Sequence, residues 1–308
     1  MLAVTHTSSV TEDQIDHLGH MNVRFYGTNA HAATANVLAA LDGWPDVPHL
    51  VHDTYTRHHR EQLLGTPLLV RSGILAADAD GISIHHELVP ANAEALAATF
   101  VHRVSPFATV GERLPVPPAA IEAARNALIA PPPYAAPRTI NLAVGPLAMA
   151  PPLEVVLERG LAVRKARTIS DEECDERGGY RPDMLMMLVW GGEPPEGATG
   201  WGPELYEGPD GELMGWAVME TRVQLDRLPT VGTRIQSFGA TVAIHERATH
   251  RVHWCYDLDR GEVMCAFEAV DVAFDTRARR TMVIPDTFRR RQEAALHPDL
   301  FARSAPDA

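Results

Sequence analysis

Apolar and polar positions along the chain resolve into two sets of elements with the same order. In the first, small and apolar residues recur at helical spacing from about Tyr26 to Leu41, and the run stops at Asp42-Gly43, a C-terminal glycine signal. Extended runs follow at roughly 49–62, 68–77, 82–89 and 96–104, with Asp80-Gly81 as a hairpin turn. In the second, Pro182-Asp183 opens a helical run to Trp190, with proline and an acid in its first turn. Its extended runs lie at roughly 216–225, 234–245, 249–258 and 263–274, with Arg260-Gly261 as a turn. A helix followed by a meander of long strands predicts an α+β arrangement, a curved antiparallel sheet wrapped around a helix, made twice.

Between the sets, residues 106–160 are proline-rich and read as a linker. A short helix, Ala119–Ala130, opens after Pro118 inside it. The predicted organisation is a first domain at 1–105, this linker, a second domain at 161–286 and a tail at 287–308, with Arg289-Arg290-Arg291 on a solvated helix face.

The two sets align residue by residue. Val10 to His20 matches Ile169 to Gly179, bringing Asp16 onto Asp175 and Gly19 onto Gly178 at an offset of about 159. Leu64-Gly65-Thr66 matches Val231-Gly232-Thr233, and Leu96–Val104 matches Met264–Val272 at an offset of about 168. Three matches in the same order point to a duplicated domain.

Bulk properties narrow the function. A net charge of −13 argues against nucleic acid as the main partner, and leaves room for an anionic small molecule held by a few arginines. No apolar run approaches the roughly 18–20 residues of a membrane helix, and the N-terminus lacks the basic and apolar regions of a signal peptide. Cys174, Cys255 and Cys265 fit neither a disulfide framework nor a metal site, so reduced thiols and a cytoplasmic location are expected. His85-His86 splits across two strand faces without metal-ligand context, so no metal and no cofactor are expected.

The chemistry concentrates in Ile15–Tyr26, IDHLGHMNVRFY. Asp16 can act as a base or nucleophile, and equally suits a turn or helix-cap acid. Gly19 and the N–H groups after it offer an oxyanion hole, while glycine also satisfies a tight turn. His20 and Asn22 can orient a carbonyl or water or hold the loop, and Tyr26 suits packing with a hydroxyl handle. His17 reads as exposed. Along Arg57-His58-His59-Arg60-Glu61, strand alternation sends Arg57, His59 and Glu61 to one face and His58 and Arg60 to the other, where either set can meet phosphates or line a solvated edge. Gly191–Gly215, carrying Trp201 and Tyr206, reads as a lid or a long insertion.

Asp16-His-Leu-Gly19-His20-Met21-Asn22, with Tyr26 four further on, resembles the D-x-x-G-H-[V/M]-N-…-Y signature of hotdog-fold acyl-CoA thioesterases of the 4-hydroxybenzoyl-CoA thioesterase type. The resemblance implies two tandem hotdog domains pairing as an intrachain pseudo-dimer, the double-hotdog form, and hydrolysis of acyl-CoA to acid and CoA. It implies that Asp16, Gly19, His20 and Asn22 are catalytic and that Tyr26, Arg57, His59 and Arg60 face the substrate. Val23 departs from the family, where many members carry a second asparagine. The second copy departs further, with Gly179, Tyr180 and Arg181 in place of His20, Met21 and Asn22, which leaves Asp175 as a degenerate second site. A hotdog hydratase or dehydratase and a non-catalytic acyl-CoA-binding protein are the alternatives, and a homo-oligomer of the two-domain chain is a further expectation.

Overall fold

The computed structural model describes residues 2–16, 18–93, 95–109, 112–181, 184–196, 206–207 and 211–301. His17, Pro182-Asp183, Trp201 and much of the Gly191–Gly215 segment lie outside the described residues. The chain divides into two compact units, Met1–Arg138 and Thr139–Ala308. Among the described residues no helix is long and apolar enough to cross a membrane.

The first unit contains β1 (Ala3–Ser9), α1 (Val23–Ala39), β2 (His49–His58), β3 (Pro67–Asp78), β4 (Gly81–Pro90), β5 (Ala98–Thr109), β6 (Glu112–Arg113) and α2 (Pro118–Asn126). Its sheet runs β1-β3-β4-β5-β2 with antiparallel neighbours, and β6 adds to β5. Helix α1 packs on β1, β3, β4 and β5. Its buried face, Tyr26, Ala30 and Ala33, meets Leu68, Val70, Leu88, Ala98 and Phe100. Small residues on that face let the helix approach the sheet closely, and burial of such apolar surface is the main stabilising term.

The second unit contains α3 (Leu153–Glu158), β7 (Arg167–Thr168), α4 (Met186–Trp190), β8 (Tyr206–Glu207), β9 (Leu213–Leu225), β10 (Arg234–Ile244), β11 (Ala248–Asp257), β12 (Glu262–Asp275), β13 (Arg280–Thr281) and α5 (Asp286–Ala294). Its order is β9-β12-β11-β10-β7, the order of the first unit, with β8 on β9 and β13 on β12. The helix is shorter here: α4 covers Phe267, Ala269 and Val223 through Val189 and Trp190.

The duplication holds at the level of single hydrogen bonds. Met21 N–H donates to the Gln62 carbonyl and Tyr180 N–H to that of Pro229, each at its own loop. It also reaches further than the three sequence matches. Helix α2 is followed by an Ile74–Leu128 parallel bridge, and α5 by the equivalent Thr241–Leu296 bridge. Helix α2 is therefore the closing element of the first copy and α5 that of the second. The proline-rich block is divided accordingly, with α2 on β3 and the stretch from Thr139 onward in the second unit.

One expected match is corrected. The register pairs His86 with Phe100 and His253 with Phe267, and both phenylalanines face their unit's helix. Phe100 therefore corresponds to Phe267, not to Glu268, and the true offset is one residue smaller than the sequence match gave. A one-residue slip exchanges the two faces of a strand. Glu268 indeed points away from Phe267 and accepts a 2.8 Å bond from His250.

Candidate active site

The Asp16 loop is shaped by its main chain. Thr11 and Gln14 form a reciprocal capping box over a 3₁₀ turn at Glu12–Gln14, and Ile15 and Met21 then bridge antiparallel. Asp16 N–H donates to the His20 carbonyl (2.9 Å), Gly19 N–H to the Asp16 carbonyl (3.0 Å) and Asn22 N–H to the Gln14 carbonyl (2.9 Å). Gly19 closes this turn at φ +82°, a left-handed conformation in which a side chain is strained. Met21, 1% exposed, pins the loop to the core.

The side chains converge on His20. Asp16 Oδ1 accepts the Leu18 N–H at 2.9 Å, and Oδ2 lies 3.3 Å from His20 Nδ1. On the other side of the ring, Nε2 lies 3.5 Å from Glu61 Oε1. The Asp16 and His20 side chains are 14% and 13% exposed, so the pair is largely shielded yet open to a reactant. Asn22 is the N-cap of α1 and accepts the Arg24 N–H at 3.1 Å. Tyr26 donates its hydroxyl to the Arg60 carbonyl at 3.1 Å, and burial raises its pKa, so it stays a neutral donor.

Glu61 was grouped in the sequence with Arg57 and His59 on one strand face. The structure separates them: β2 ends at His58, and the N–H groups of His59 and Arg60 both donate to the Ala97 carbonyl. Two donors on one acceptor break the alternation and turn Glu61 toward His20. Arg57 instead donates to the carbonyls of Tyr134 (2.9 Å) and Ala136 (3.3 Å), holding the chain after α2. His59 lies 3.4 Å from Thr99, and burial together with Arg57 and Arg138 pushes its pKa down to about 4. Arg60 is exposed and has no carboxylate partner among the described residues. Gly19 contributes its φ, since its own N–H is committed to the turn.

The second loop repeats the backbone with different side chains around its aspartate. Asp175 N–H donates to the Gly179 carbonyl (2.8 Å), Gly178 N–H to the Asp175 carbonyl (2.9 Å), and Gly178 has φ +76°. Asp175 Oδ1 accepts two amides, from Arg177 (2.9 Å) and Gly179 (3.2 Å). The His20 N–H makes no such bond to Asp16 among the described residues. Gly179 stands at the position of His20, and the buried Leu228, one residue before Pro229, at that of Glu61.

Among the described residues no three His, Cys, Asp or Glu side chains are placed to hold a metal ion. The arrangement is an acid–base pair in a rigid turn, suited to activating a carboxylate or water against an acyl carbon.

Fold and loop together define a two-domain α+β hotdog-like protein. Residues 10–124 match the family model described as the thioesterase-like superfamily. The 12:0-ACP thioesterase from Umbellularia californica aligns with 87% of this chain and 93% of its own at 12% identity and a TM-score of 0.62. An acyl-ACP thioesterase from Bacteroides thetaiotaomicron aligns with 88% and 97% at 11% identity and a TM-score of 0.58. At these identities the likeness is one of fold, that of double-hotdog proteins along nearly the whole chain. No curated protein matches the sequence.

Proposed function

We propose that the protein hydrolyses an acyl thioester to the free acid and the carrier thiol, at the loop of the first unit. The observation that carries this reading is the Asp16–His20 contact within a turn in which Asp16 Oδ2 accepts no amide among the described residues. Asp16 attacks the thioester carbonyl or draws a proton from an attacking water, and His20, braced by Glu61, orients the carboxylate. The His20 N–H, unlike that of Gly19, has no acceptor among the described residues and is the donor this reading assigns to the oxyanion as the tetrahedral species forms. Asn22 and Tyr26 hold the loop to α1 and to the chain after β2, while Arg60 is the exposed cation on the substrate side. Asp175 is a structural acid in this reading.

CoA and acyl carrier protein present the same pantetheine thioester, and the resemblance of the signature to acyl-CoA enzymes favours CoA. The two structural relatives named for ACP substrates make ACP the comparison to run beside it. The three free thiols, two of them buried, support a reducing, cytoplasmic location. The test is thiol release across short, branched, aromatic and long acyl groups on both carriers. Release that Asp16→Ala abolishes is expected; no release from any substrate, or hydration of an enoyl thioester without release, overturns the proposal.

A further inference from the structure

Beneath the middle of α1 runs a row of polar side chains that the chemistry above does not use. Thr34 Oγ1 lies 2.9 Å from His86 Nε2 on β4, 2.8 Å from His102 Nδ1 on β5 and 3.1 Å from the Ala30 carbonyl of its own helix. On the far side of His86, Nδ1 lies 2.7 Å from Ser72 Oγ on β3, which is 2.6 Å from Thr5 Oγ1 on β1. Thr5 Oγ1 is also 3.3 Å from the Val70 carbonyl. Thr34, His86 and His102 have no exposed surface and Ser72 is 4% exposed. The row thus joins the site-bearing helix to four strands.

Counting protons fixes most of the row. Thr34 has one hydrogen for three neighbours. If it goes to the Ala30 carbonyl, both rings donate to Thr34, Ser72 donates to His86 Nδ1 and Thr5 donates to Ser72. If it goes to His86 Nε2, the run reverses and ends with Thr5 donating to the Val70 carbonyl. In both cases His102 donates through Nδ1 and keeps a lone pair on Nε2. The remaining option, Thr34 donating to His102, places an N–H on Nε2, a buried atom with no acceptor, and is the costliest. His102 Nε2 is therefore the single vacant acceptor of the row.

Its surroundings do not welcome a cation. The rings of His31 on α1 and His86 lie 4.9 Å from that of His102, and that of Phe100 lies 5.9 Å away. The titratable groups acting on His102 are His86, His31 and His49 on β2, and those acting on His86 are His85 and His31. No carboxylate is among them. Burial first, then these neighbours, keeps both rings in the neutral form. Among the described residues the second unit does not repeat the row: Gly239 and Ala269 stand where Ser72 and His102 do, and His253 stands at the position of His86. The row accompanies the intact loop and is missing beside the degenerate one.

We infer that Thr5, Ser72, His86, Thr34 and His102 form a positioning device that seats α1 on the sheet, and that a proton taken up at His102 unseats it, so that this core sets the acid limit of the site's activity. The inference rests on the proposed thioester hydrolysis only for its activity readout. Asn22 and Tyr26 ride on the first turn of α1, and Thr34 lies eight residues beyond Tyr26, about 12 Å along a stiff helix. A shift at Thr34 is carried to the Tyr26–Arg60 tie and to the loop that Asn22 caps.

The test uses the full chain. Hydrogen exchange, corrected for intrinsic rate, is read in α1 and α5 at pH 7.5 and pH 5.0. Protection of α1 should fall at least tenfold at pH 5.0 and further than that of α5, whose unit carries the buried His253; equal protection of α1 at the two values overturns the inference. In the activity arm, His102→Asn keeps a donor toward Thr34 and replaces the vacant basic nitrogen by an amide that takes up no proton. The acid limb of kcat should move down by at least half a pH unit, and a limb superimposed on that of the unmodified protein overturns the coupling. Thr34→Val should lower kcat and α1 protection together, and Thr34→Ser should restore both; an unprotected α1 in Thr34→Ser counts against the device even where His102→Asn does not fold. If no acyl thioester is turned over at any pH, the functional proposal fails and the exchange arm decides this one alone.

Discussion

Replacing each loop aspartate by asparagine should produce opposite orders of damage to stability and to activity. Asp175 Oδ1 holds two amides at 2.9 and 3.2 Å, whereas Asp16 Oδ1 holds one at 2.9 Å. A hydrogen bond to a charged acceptor contributes about 1.5–3 kcal/mol and a neutral one about 0.5–1.5, so neutralising the acceptor costs about 1 kcal/mol per bond. Asp175→Asn should then destabilise its loop by about 2 kcal/mol and Asp16→Asn by about 1 kcal/mol. Turnover should respond the other way. Loss of a catalytic carboxylate removes about 10²–10⁴ in rate, or about 3–5 kcal/mol of barrier lowering, while Asp175→Asn should leave kcat within about twofold. The assay pairs urea titration, followed by amide exchange in each unit, with thiol release from the best substrate of the panel. If Asp16→Asn keeps more than a tenth of the activity, or if both variants lose it equally, the assignment of a single working loop is wrong.

Burial and the neighbouring His85 and His31 lower His86 from 6.5 to about 3, so its neutral form is favoured by folding. That contribution is complete above pH 6.5 and is lost as pH falls toward 3; by pH 5 about 2 kcal/mol is gone from the first unit, and an unchanged urea midpoint between pH 8 and pH 5 would contradict it. Glu61→Gln should lower kcat by about tenfold with little change in KM, because Glu61 acts through the His20 ring; a rise in KM at constant kcat would make it a substrate contact instead. Gly239→Ala would drive a methyl into Nδ1 of the fully buried His253, which Trp190 packs against at 4.5 Å. Overpacking of this kind costs about 1–3 kcal/mol, and a second unit that melts at its original temperature would show that the ring has room to move.

The Asp-x-x-Gly turn was legible because its composition is dictated by its conformation. An aspartate that caps its own turn and a glycine at positive φ leave a spacing that survives in both copies. Strand register was less legible. Every position of β12 from Met264 to Val270 is buried, so no alternation distinguishes Phe267 from Glu268. The pairing of α2 with α5 was hidden because PAAIEAARN and DTFRRRQEA share position and not character. Glu61 was misread with Arg57 because strand periodicity was continued past His58, where two amides share one carbonyl. His85-His86 was expected to straddle the sheet, and it does: His86 meets Thr34 while His85 approaches Glu87 at 3.5 Å. The partner of His86 could not be found by spacing, since Thr34 sits in an alanine-rich helix and is separated from it by 52 residues.

The bonds that shape each loop are made by the main chain and by an aspartate both copies keep. Selection for folding and selection for chemistry therefore act there on different atoms. Drift could turn His20's counterpart into Gly179 and Glu61's into Leu228 without moving the turn. The same separation has a limit: a histidine written at 179 leaves the main-chain bonds that close the second loop in place, but its N–H, already given to Asp175 Oδ1, stays withheld from any oxyanion.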